Sequence, residues 1–243
     1  MMPAVTDFRA LARSSPWRWS TLEFEVDRSG TVEHAWIARP DRLRVESKGQ
    51  VAHIQSEAPP FGRVGYSSSG MGVPIARVWP TDVDPTCGDN GLVSERPEDT
   101  TIDYDPPFHS DYFWVALLDP VELSVGVEIG DVREVTHHGR SAWEARVRPT
   151  PDYEPRCDCC ALLSGSESLD QMTWVPNADT VIRLDVQTGV CVSVRHLGES
   201  WCGQEGEVRI LAVDEPMADE LFRRRRAGRW RRLLRSRKGS GLA

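Results

Sequence analysis

Residues 21–47 read TLEFEVDRSGTVEHAWIARPDRLRVES. Leu22, Phe24 and Val26 alternate with Glu23 and Glu25, the period-two signature of a strand that buries one face. Asp27-Arg28-Ser29-Gly30 supplies turn residues, and Val32, His34, Trp36 and Ala38 alternate on the return. Pro40-Asp41 makes a second turn, Leu43 and Val45 mark a third strand, and Val51 to Gln55 a fourth. Strands joined by connections this short pair as an antiparallel meander.

On the N-terminal side, Thr6 is placed to cap a short helix through Ser14, with Phe8, Leu11 and Ala12 on one side. On the C-terminal side, residues 56–110 are rich in Pro, Gly, Ser and Asp. They read as loops around short strands near Gly62–Ser67 and Ile75–Trp79. Pro80 to Pro107 is long for a connection inside a compact domain, a length typical of lids and binding loops. Residues 109–123 return to helical spacing, with Tyr112, Val115 and Leu118 on one face and a kink at Pro120.

The meander then resumes. Val125 to Thr136 reads as one strand, His138-Gly139-Arg140 as a turn, and Trp143, Ala145 and Val147 as the next alternation. After a cysteine-bearing loop at 149–170 come Thr180–Val186, the turn Gln187-Thr188-Gly189, the alternation Val190, Val192, Val194, and a closing strand at Gly206–Val213. About nine to eleven antiparallel strands with two or three helices make an α+β domain, a large curved sheet of half-barrel form. It spans residues 1–215, and Pro216 opens a basic helical tail over 216–243.

The net charge of −8 averages two different objects. Residues 223–243 hold ten basic and no acidic residues, leaving 19 bases against 37 acids before them, a body of −18. Phosphate binding rests on clustered Lys and Arg, so nucleic acid is disfavoured as a partner of the body. On a helix Phe222, Trp230 and Leu233 share an apolar side, with Arg224 and Arg225 among the surrounding bases. That pattern suits an anionic membrane surface or an acidic partner, less so a nucleic-acid backbone, and more simply a solvated tail or one folded back on the acidic body. No apolar stretch reaches the roughly 20 residues of a bilayer span and the N-terminus has no apolar signal core, so the expected compartment is the cytoplasm, with a peripheral membrane role for the tail.

Six cysteines are too few for a disulfide scaffold in a chain of 243 residues. Cys157-Asp158-Cys159-Cys160 contains a CxxC pair, Cys157 with Cys160, and Cys191 or Cys202 lies on the following hairpin to complete a zinc site. A disulfide from this loop to Cys191 or Cys202, or plain thiols, fit the same spacing. Asp103, Asp105, His109 and Asp111 cluster around a Pro-Pro turn, a set that suits metal binding or solvation. GxSxG, HExxH, the phosphate-binding loop and the dinucleotide fingerprint are all absent, which points away from an enzyme and leaves any cofactor unidentified.

Four segments carry a family resemblance: AWIARPDRLRVES (35–47), LLDPVELS (117–124), EVTHHGRSAWEARVRP (134–149) and DTVIRLDVQTGVCVSV (179–194). In this order the chain resembles the LolA-like lipoprotein-carrier superfamily, in its actinobacterial branch and here without a leader, over about residues 15–213. The resemblance implies a curved sheet around helices with a hydrophobic cavity between them. Its lining is then expected from Leu22, Phe24, Val26, Trp36, Trp143, Ile182 and Leu184, and its occupant is a hydrophobic small molecule or lipid. A regulatory or redox-sensing protein with a zinc- or disulfide-forming cysteine loop is the alternative.

Overall fold

The computed structural model describes residues 3–57, 61–66, 72–168, 173–198 and 204–223. Helix α1 (Val5–Ser14) starts two residues earlier than a Thr6 cap predicts, because the Asp7 carboxylate reaches back 3.1 Å to the Ala4 backbone N–H. The meander follows as β1 (Thr21–Arg28), β2 (Thr31–Ala38), β3 (Arg42–Ser47) and β4 (Gln50–Gln55). Two short ribbons, β5 (Phe61–Tyr66) with β6 (Gly72–Ala76) and β7 (Thr86–Cys87) with β8 (Val93–Glu95), occupy the loop-rich middle. The second ribbon packs on α1, where the Ser14 hydroxyl accepts the Val93 N–H at 2.9 Å.

Helix α2 (Tyr112–Leu118) is capped by Asp111, whose carboxylate accepts the Phe113 N–H at 3.1 Å. All six residues from Phe113 to Leu118 are buried, so this helix is apolar on every side and belongs to the interior. Asp119-Pro120 ends it, since proline cannot continue the hydrogen-bond ladder. The segment expected as one strand over 125–136 is divided into β9 (Val127–Ile129) and β10 (Arg133–His137). Both pair with β11 (Arg140–Pro149), as Ile129↔Val147 and Arg133↔Glu144. One more residue lies on this side than on β11 between those two pairings, so the ladder breaks there. The ribbon β12 (Gly165–Ser168) with β13 (Thr173–Pro176) precedes β14 (Asp179–Asp185), β15 (Cys191–Leu197) and β16 (Gly206–Val213).

The main sheet has ten strands in the order β10-β11-β14-β15-β16-β1-β2-β3-β4, with β9 beside β11, and it does not close. With two α-helices among the described residues, it is the α+β class expected, a large antiparallel sheet with few helices. β15 and β16 pair only through Ser193↔Glu207 and Val194↔Gly206. The sheet curls enough there for the His137 ring of β10 to meet the Val208 carbonyl of β16 at 2.9 Å.

One face of this sheet makes the core. Leu22, Phe24, Val26, Ile182 and Leu184 are each at most 1% exposed and pack with Phe8, Leu11, Phe113 and Trp114 from the two helices. Burial of such a side chain contributes about 1.5–3 kcal/mol. The Ser29-Gly30 turn sets β1 against β2 as Leu22↔Ile37, Glu23↔Trp36 and Phe24↔Ala35. Trp36 therefore stands beside Glu23 on the opposite face from Leu22, and Ala35 and Ile37 are the β2 residues that enter the core. Its place in the expected lining is corrected by this register: a strand turns successive side chains to opposite faces, so Trp36 stacks on His34 at 3.9 Å instead. No described helix is long and apolar enough to cross a membrane.

Candidate functional site

Three features position the cysteine loop. Glu122, in the single turn Val121–Leu123 after α2, is buried and accepts the Leu162 N–H at 2.8 Å, the Arg156 N–H at 3.4 Å and the Tyr153 hydroxyl. Burial pushes its carboxyl above the ordinary glutamate value, against the pull of these donors. Arg156 pairs with Asp105 on one side and with fully buried Asp119 on the other. Between these anchors the chain makes one tight turn, Asp158–Cys160, closed by the Cys160 N–H on the Cys157 carbonyl at 2.9 Å.

That turn gathers three sulfurs. Cys157 and Cys159 are 3.0 Å apart, Cys159 and Cys160 3.6 Å, and all three lie within 4.8 Å of one another. Cys160 is buried and Cys159 exposed. Burial and the neighbouring Cys159 push the Cys160 thiol up to about 12, whereas the thiols of Cys157 and Cys160 lower that of Cys159. Cys191, fully buried on β15 with its thiol toward the Ser193 carbonyl, is not one of the group, and burial raises its thiol strongly. The expected set of Cys157, Cys160, Cys191 and Cys202 is thus revised: Cys159 takes the place of Cys191, because Cys191 points into the core face of its strand. Cys202 lies outside the described residues.

A polar hollow of about 840 Å3 opens beside the thiols, lined by Arg28, Ser29, Thr31, Glu33, Ser110, Asp111, His196, Gly198, Gln204 and Glu205. These come from the β1–β2 hairpin tip, the segment before α2, the end of β15 and the start of β16. Arg28 holds Asp111 through two hydrogen bonds of 3.2 and 2.6 Å, donates to the Gln204 side-chain oxygen, and lies 5.3 Å over the Phe113 ring. The Gln204 amide in turn points its nitrogen at the Cys159 carbonyl (3.4 Å) and the Cys160 sulfur (3.8 Å), joining hollow to thiols.

His196, on the hollow's wall, is 8% exposed. Its Nδ1 meets the Thr180 hydroxyl at 2.9 Å, and its buried Nε2 has no partner among the described residues. Burial lowers its basicity, opposed by Glu205; burial likewise lowers that of His137, opposed first by the Val208 carbonyl. Below about pH 6.5 the unfolded chain takes up more protons at these two imidazoles than the folded chain does. Stability is therefore expected to fall as pH drops from 7 toward 5.5, read as the urea midpoint, and the slope should flatten in the double variant His137→Gln, His196→Gln. A midpoint independent of pH over that range would contradict this assignment.

The other expected positions distribute differently. Leu22, Phe24, Val26, Ile182 and Leu184 are packed core, Trp143 is half-buried against it, and none of them lines the hollow. Asp103, Asp105 and Asp111 are dispersed among Arg77, Arg156 and Arg28, so they form no cluster with His109. Phe222 is 1% exposed beneath Arg42, 5.1 Å from ring to guanidinium, and so belongs to the packed body and not to an outward apolar side. Arg224, Arg225, Trp230 and Leu233 lie outside the described residues. Sequence reading missed Arg28, Asp111 and Gln204 as one unit; only the turn residues at 27–30 mark the place.

No protein-family model and no curated protein matches the chain. Among solved structures, a chain of the Pseudomonas aeruginosa MucA/MucB complex overlays with a TM-score of 0.40 at 15% identity, covering 92% of this chain and 60% of that one. MucB in complex with MucA(peri) gives 0.37 at 16% identity, covering 93% and 60%. MucB by itself gives 0.33 at 14%, covering 92% and 62%. The chain spans about three fifths of the length of these structures' chains.

Proposed function

We propose that the protein acts by binding, without catalysis, and that its ligand is polar, carries a positive group and occupies the hollow beside the cysteine turn. The chemistry of the lining carries this: among its described residues three carboxylates, Glu33, Asp111 and Glu205, face one guanidinium, Arg28, which Asp111 already neutralises. The volume is that of a small-molecule or peptide-segment site, and the remaining charge attracts cations. A mixed lining of hydroxyls, an amide and an imidazole suits orientation of a polar ligand better than solvation of an acyl chain.

An apolar ligand beneath the sheet, which the LolA-like resemblance implies, has the sheet's curvature in its favour and the dense packing of its expected lining against it. Docking of the tail to an anionic membrane or acidic partner rests on the ten bases of residues 223–243. Native mass spectrometry of the full chain, followed by calorimetric titration with spermidine and with a short oligolysine, separates these cases. Binding of the basic compounds is expected, weakened about five- to tenfold by Glu33→Gln, as suits loss of one partly buried charge worth ~1 kcal/mol. A co-purifying lipid, with no response to spermidine or to the Glu33 change, would sink the polar-ligand assignment.

A further inference from the structure

Tetrahedral metal–thiolate bonds of about 2.3 Å place sulfur ligands ~3.8 Å apart. The Cys157–Cys159 and Cys159–Cys160 separations of 3.0 and 3.6 Å, with the whole trio inside 4.8 Å, are close to that edge length. We propose that Cys157, Cys159 and Cys160 are a three-thiolate site for a thiophilic d10 cation, zinc(II), distinct from the hollow's ligand. Binding exchanges three S–H bonds for three metal–sulfur bonds and releases three protons to solvent; no electrons move.

The surroundings are those of a built site. Glu122 and Arg156 pin the loop on either side of the turn, so the sulfurs are gathered before an ion arrives. Gln204 directs its amide nitrogen at the Cys160 sulfur, and Arg28 on the Gln204 oxygen fixes that orientation. Exposed Cys159 leaves the ion a path from solvent, whereas buried Cys160 anchors it. Asp111 is no fourth ligand, since Arg28 and the Phe113 N–H take both of its oxygens, so among the described residues the three thiolates are the protein ligands. A disulfide would engage two of these sulfurs and gives no reason for a third.

The test uses the full chain, reduced and stripped of metal, with zinc alone added and bound ion counted by native mass spectrometry and chelator competition. Cobalt(II) serves as the spectroscopic probe for thiolate-to-metal charge transfer. One zinc per chain is expected. Cys159→Ser, at an exposed position and with its fold checked by far-UV circular dichroism, should weaken it by more than about a hundredfold, and Gln204→Ala by about tenfold. Cys191→Ser should keep one zinc. The proposal is overturned if the reduced chain takes no stoichiometric zinc, if Cys159→Ser leaves affinity unchanged, or if folded Cys191→Ser loses the ion.

Discussion

Asp119→Ala is expected to cost about 3–5 kcal/mol of folding stability, the range for breaking a buried ion pair from one side. The Asp119 side chain is fully buried, and both oxygens are engaged by Arg96, with Arg156 on one of them as well. Burial by itself would raise this carboxyl, but Arg96 and Arg156 outweigh burial and hold it below the ordinary aspartate value. A third guanidinium, Arg39, is also buried, its charge favoured by Asp119 and its pKa brought down to about 9 by burial. Removing the carboxylate leaves Arg96 without its carboxylate partner, Arg39 without its main compensating charge and Arg156 with Asp105 alone, which is why the cost exceeds that of the lost hydrogen bonds. Urea denaturation at pH 7 measures it, and Asp119→Asn should recover little, because the amide restores shape without charge. A change below 1 kcal/mol would mean that water reaches the network. Since Arg156 also anchors the cysteine loop, the same variant should loosen the thiol cluster.

The difference between what was legible in sequence and what was not follows the range of the interactions. Period-two alternation and turn residues placed β1, β2, β3, β14 and β15, because these depend on neighbours a few residues away. The face assigned to Trp36 went wrong because alternation along β2 does not say which of its two faces joins the core, while the register set by the Ser29-Gly30 turn places Trp36 opposite Glu23. The break at residues 130–132 reflects the pairing of β9 and β10 with one distant partner, β11, which no local pattern records. Cys157 and Cys160 stood out by CxxC spacing, yet Cys159 joins them only because a single turn folds the three sulfurs together. The buried acids Asp119 and Glu122 sit in LLDPVELS, a stretch that reads as an ordinary amphipathic end. Arg28, Asp111 and Gln204 are separated by up to 176 residues along the chain, and only the curl of the sheet makes them one site.

Trp114→Ala is expected to cost about 3–5 kcal/mol and to create an apolar pocket beneath β1. Trp114 is 1% exposed on α2, its ring 5.4 Å edge-on from Phe24, the middle of the strand that the resemblance made a ligand-lining surface. Its indole N–H finds no acceptor among the described residues, so the side chain serves by volume and contact. With it in place, the space between sheet and helix is filled by protein. Without it, a cavity bounded by Phe24 and its buried core neighbours should stay dry and admit a small apolar guest. Thermal unfolding with and without benzene reads this directly: the variant should gain stability with added benzene, and the parent protein should not. A parent protein already stabilised by benzene or by a fatty acid would show that its interior opens to apolar ligands, and would return the binding function from the polar hollow to the core face of the sheet.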